Sequence, residues 1–128
     1  DDLFVCSTSG GQKGLGQIFR FVPGRGRGPD MVELFFESES EDQFNFGDNL
    51  TVSPNGHLIV CEDQYTDVVD NHLRGITPDG RAYTLARLTM QTELAGACFS
   101  PDGKWLFVNA YSPTRTVAIT GPWDRFMT

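Results

Sequence analysis

Residues 93–109 read ELAGACFSPDGKWLFVN, and residues 47–63 read GDNLTVSPNGHLIVCED. Each begins with acidic or amide side chains, runs through an apolar stretch into Ser-Pro-x-Gly, and resumes with a second apolar stretch. The two turns, Ser53-Pro54-Asn55-Gly56 and Ser100-Pro101-Asp102-Gly103, stand forty-seven residues apart. In such turns Pro presets φ at the second position and Gly accepts a positive φ, which suits a tight hairpin. Beyond each turn apolar residues recur two apart, Leu58 and Val60, then Leu106 and Val108. Between the copies lies a further hairpin, HLRGITPDGRAYTLA, around Pro78-Asp79-Gly80. Two hairpins in about 40–50 residues are the unit of a four-stranded propeller blade.

Working outward, two-residue alternation rather than a 3.6-residue period runs nearly from end to end. It predicts strands over about 3–8, 16–22, 31–37, 48–53, 57–62, 72–77, 80–86, 94–99, 104–109 and 115–120. The chain reads as all-β: a partial propeller of about two to three blades. Its divisions are residues 1–46 (part of a blade), 47–92 (a blade) and 93–128 (part of a third). The acidic stretch ESESEDQF at 37–44 and QYTDVVDN at 64–71 read as loops. GRGRG at 24–28 joins two strands with no helix pattern after it, so it reads as a hairpin tip rather than a phosphate-cradling loop.

The bulk numbers agree with one folded domain. A chain of 128 residues buries roughly two-thirds of its unfolded surface. Ten Phe and 39% hydrophobic residues argue against disorder. A net charge of −7 argues against nucleic acid or an anionic membrane as partner and favours hard cations. No apolar run is long enough to span a bilayer, and no leader of the secretory type opens the chain; export would mean that a leader had been removed. Cys6, Cys61 and Cys98 show no metal-ligand spacing and sit in apolar runs, so they read as small buried thiols, with one disulfide as the other reading. His57 and His72, on separate hairpins, read as surface or strand-end residues.

The blocks TSGGQKGLGQIFRFVPG, DNLTVSPNGHLIVCED, HLRGITPDGRAYTLAR, ELAGACFSPDGKWLFVN and TVAITGPW follow one another in an order that resembles the C-terminal part of PhoX-type alkaline phosphatases. The resemblance covers nearly the whole chain. It implies a secreted or periplasmic enzyme built on a six-bladed propeller, hydrolysing phosphate esters at axial calcium and iron ions. It further implies that polar groups at the starts of inner strands face the axis, where carboxylate and amide oxygens suit calcium. Asp48, Asn49, Glu62, Asp63, Glu93 and Asn109 occupy such places. Each could instead cap a turn or end a strand in water. Arg74 could hold a phosphate oxygen with its guanidinium fork, or pair with a neighbouring acid. Asn49-Leu50-Thr51 is a glycosylation sequon, which an Asn facing a narrow channel could not use.

The resemblance also implies that upstream blades complete the ring and the metal cluster, with iron only in a complete member. Phe46-Gly47 stands where the family usually has Gly-Pro. The expected partners are therefore the rest of the propeller or other protein subunits, and the chain by itself is expected to be inactive. The other reading is a non-catalytic extrinsic subunit, peripheral to a membrane complex in an organelle lumen. A stand-alone propeller lactonase would share the channel calcium but needs about twice this length.

Overall fold

The computed structural model describes residues 2–26 and 28–126. Arg27 of the expected hairpin tip, and Met127 and Thr128 of the tail, lie outside the described residues. Ten strands follow one another: β1 Leu3–Ser7, β2 Gln17–Val22, β3 Met31–Glu37, β4 Gly47–Val52, β5 Leu58–Glu62, β6 His72–Ile76, β7 Ala82–Arg87, β8 Leu94–Phe99, β9 Trp105–Ala110 and β10 Arg115–Thr120. A single helical turn, α1 Trp123–Phe126, comes last. Every expected strand is present, with ends shifted by a residue or two.

The strands form three antiparallel sheets, β1-β2-β3, β4-β5-β6-β7 and β8-β9-β10, each joined through sequential hairpins and none closed on itself. This is a partial propeller-like fold. Three turns share one device. Gly56, Gly80 and Gly103 adopt positive φ of 82°, 82° and 69°, and their N–H groups bond back to the carbonyls of Ser53, Thr77 and Ser100. The same three hydroxyls accept backbone N–H bonds from His57, Arg81 and Trp105 across the hairpin mouth. The local sequence thus satisfies its own turn.

The sheets stack face to face. Successive side chains of a strand point to opposite faces, and β5 exploits both: Leu58 and Val60 pack with Ile18, Phe36 and Phe44 towards the first sheet. Ile59 and Cys61 pack with Leu94, Leu106 and Val108 towards the third. Burial on both faces explains why β5 reads as a continuous apolar run. Each such fully buried side chain contributes about 1.5–3 kcal/mol.

The first strand of the central sheet, β4, touches both β1 and β8. Asn49 Oδ1 accepts the Gly96 N–H at 3.1 Å and ties β4 to β8. No helix among the described residues is long and apolar enough to cross a membrane.

Two expectations change. Cys61 is buried and Cys6 half-buried, but Cys98 is exposed; all three are free thiols. A bulge in β8 opposite β9, between Ala95 and Cys98, turns Ala97 inward and Cys98 out. His57 and His72 do stand at strand starts but are buried, not on the surface. His57 Nδ1 lies 3.0 Å from the Tyr83 hydroxyl, and His72 Nδ1 2.8 Å from Glu62 Oε2.

Candidate metal centre

Asp48 reaches the site through a bulge. In β4, Gly47 pairs with Glu62 and Asn49 with Cys61, leaving Asp48 as the extra residue, and a bulge of this kind re-aims a side chain. The preceding Phe46 is held at a φ of 55°, unusual for a side chain of that size. Two backbone bonds fix it there, Phe46 N–H to the Leu15 carbonyl and Asp63 N–H to the Phe46 carbonyl, both 2.9 Å. That second bond places Asp63, just past β5, beside the bulge. Glu93 arrives from the loop before β8, where its carbonyl accepts the Tyr111 N–H at 3.0 Å.

One carboxylate oxygen from each of Asp48, Asp63 and Glu93 lies within 4.8 Å of the others. Asp48 is exposed and the other two are half-buried. Thr8 Oγ1 donates to Asp48 Oδ1 at 3.2 Å. Among the described residues no Lys, Arg or His forms an ion pair with any of the three. Burial pushes the Asp63 carboxyl up from its ordinary pKa, and the Asp48 charge adds to the shift. Burial likewise raises Glu93, with Asp63 and Asp48 repelling its charged form. Three gathered carboxylates without a protein cation are a donor set for a hard cation. Calcium takes six to eight oxygens at 2.3–2.6 Å, so ligands on opposite sides of it stand about 4.6–5.2 Å apart.

The other candidates sit elsewhere. Asn49 spends its amide oxygen on Gly96, as described. Asn109 is exposed, and its Oδ1 accepts the Thr116 hydroxyl at 2.7 Å. Glu62 is fully buried. Its Oε1 accepts Arg74 Nε at 2.7 Å and the Asn45 N–H at 2.8 Å, and its Oε2 accepts the His72 N–H at 2.9 Å. Arg74, also buried, spends Nη1 on the Asp42 carbonyl and the Thr84 hydroxyl. Glu62 and Arg74 thus belong to a polar network distinct from the three clustered acids.

Thr8 and Tyr111 were not anticipated, yet a signal for both existed. LFVCST at 3–8, LIVCED at 58–63 and LFVNAY at 106–111 are three copies of one strand and its exit. Phe4 and Cys6 pack towards the next sheet as Ile59 and Cys61 do. The final position is Thr8, Asp63 and Tyr111 in turn: Thr8 bonds Asp48, Asp63 joins the cluster, and Tyr111 lines the groove beside it. The first copy is concealed because its exit carries no acid.

The family model for the alkaline phosphatase PhoX matches residues 2–114. No curated protein matches the chain, and no solved structure does. The match runs from β1 to β9 and takes in the three gathered carboxylates, and on that span this chain belongs to the alkaline phosphatase PhoX family.

Proposed function

We propose that this chain contributes Asp48, Asp63 and Glu93 to a calcium site in a secreted or periplasmic phosphate-ester hydrolase, and that it is inactive without further protein. The observation carrying this reading is the convergence of three carboxylates within 4.8 Å, with no described cationic partner, in a member of a phosphatase family. Calcium bound there would neutralise charge on the phosphoryl oxygens of an ester. The chain's own part is to hold the ligands: the β4 bulge presents Asp48, and Thr8 orients it. Three carboxylates leave part of a six- to eight-oxygen shell to water, substrate or residues of another blade. Iron is assigned only to an assembly completed by further blades.

The need for further protein rests on the open face of the first sheet. Leu3 and Val5 hold the repeat positions of Leu58 and Val60, which are buried against a neighbouring sheet, yet they are 59% and 57% exposed. Another blade, or a foreign subunit, covers this face. The test is calcium titration of the purified chain followed by thermal unfolding and by hydrolysis of a chromogenic phosphate monoester. Calcium is expected to raise Tm in the parent and not in Asp63→Asn/Glu93→Gln. Activity is expected only when the remaining blades are supplied. A Tm indifferent to calcium would remove the reading.

A second reading, a non-catalytic extrinsic subunit of a larger membrane-peripheral complex, is favoured by Arg74. Its guanidinium is engaged by Glu62 and backbone carbonyls and is not offered to a phosphate. Stoichiometric co-purification with unrelated subunits, without phosphatase activity on reconstitution, would select it.

A further inference from the structure

A groove opens directly beside the clustered acids, between the β5–β6 loop, the β7–β8 loop and the β9–β10 turn. Asp63, Glu93, Tyr65 and Tyr111 are among the residues that line it. Both tyrosines are largely in solvent, 85% and 70% exposed. Their supports are well tied. Gln91 Nε2 donates to the Gln64 carbonyl at 2.8 Å, and Asn71 Nδ2 donates to the Thr92 carbonyl at 2.9 Å, joining two of the loops. Tyr111 is fixed through its N–H to Glu93. The buried Gln64 Oε1 has no hydrogen-bond partner among the described residues.

From this geometry we infer that the groove takes the alcohol portion of the phosphate ester, and that Tyr65 and Tyr111 make it selective for an aromatic or similarly flat apolar group. The inference rests on the calcium reading above, because it places the phosphoryl group at Asp48, Asp63 and Glu93. An ester oxygen held there directs its organic substituent away from the acids, and this groove touches two of the three. Its volume of about 170 Å³ suits a single ring; an apolar cavity of ~150 Å³ accepts benzene. Two tyrosine rings supply flat, polarisable walls with few rotatable bonds to immobilise. Tyr111 also occupies the strand-exit position that Asp63 uses to reach the cluster, which sets it beside the acids.

The experiment is calorimetric titration of the full chain in saturating calcium with phenyl phosphate and with methyl phosphate, repeated for Tyr65→Ala/Tyr111→Ala. The parent is expected to bind phenyl phosphate about tenfold more tightly than methyl phosphate. The double variant should lose that preference while keeping its affinity for methyl phosphate and for calcium. Neither ring is buried, so the variant is expected to fold as the parent does. Calcium uptake with equal affinity for the two esters, or a preference that survives the double substitution, would overturn the tyrosine assignment alone. A chain that takes up no calcium would overturn the metal centre and this assignment with it.

Discussion

Glu62 and Asp63 are adjacent acids with opposite circumstances. Glu62 lies inside the central sheet with its oxygens taken by Arg74, His72 and Asn45, whereas Asp63 has left the strand and faces other acids. Removing a buried partner strands the remaining charge, so Glu62→Ala is expected to lower stability by about 3–5 kcal/mol in denaturant unfolding. Asp63→Asn should do the reverse in calcium-free buffer. The folded-state pKa of Asp63 is raised above the ordinary 3.8, so its contribution to stability is present at low pH and is lost as pH rises through the carboxyl range and above. The Tm advantage of Asp63→Asn over the parent should therefore grow with pH and vanish when calcium is added. An advantage independent of pH would refute the upward shift that burial and the Asp48 charge give the Asp63 carboxyl. Thiol chemistry divides in the same way. Burial pushes Cys6 and Cys61 up to about 12, leaving little thiolate at neutral pH, while Cys98 is exposed. Iodoacetamide should label Cys98 and spare the other two in the native chain, read by peptide mass spectrometry.

Elements meet through small residues placed where a side chain cannot fit. A Cβ on Gly47 would stand 2.1 Å from the Phe44 ring and 2.8 Å from Val60, at the point where β4 enters its bulge. Gly47→Ala is expected to cost about 1–3 kcal/mol. Because the shift would displace Asp48 next door, it should weaken calcium binding as well. The control is Gly75→Ala, where the Cβ would collide with the Tyr83 ring at 2.0 Å: it should lower stability and leave calcium affinity unchanged. Equal losses of calcium affinity in both would sever the link between bulge and metal. At this scale the sequence was highly legible, since alternation and turn chemistry are local. The bulges at Asp48 and in β8 were not, because an extra residue is defined only against a partner strand.

At the scale of the whole molecule, the stack has an uncovered end. Leu3 lies in register with Phe21 and Val32, and Val5 with Phe19 and Leu34, so six apolar residues share one face of the first sheet. Val32 and Leu34 are 67% and 51% exposed. Apolar patches of this kind drive association. Sedimentation velocity is expected to show the isolated chain self-associating with concentration, and Val32→Lys/Leu34→Lys to return it to a monomer at little cost in stability. A parent that stays monomeric at high concentration would contradict the covered-face reading.

Repetition of Ser-Pro-x-Gly and period-two alternation were enough to determine ten strands in an all-β, propeller-like arrangement, since turn chemistry and alternation are properties of neighbouring residues. Only the tertiary structure decided which acids come together and which are paired. Asp48, Asp63 and Glu93 converge because a bulge and two loops end at one place, while Glu62, one position from Asp63, is claimed by a buried arginine. The reason is geometric: along a strand, one step changes the face, and the face is given its meaning by whatever sheet packs against it.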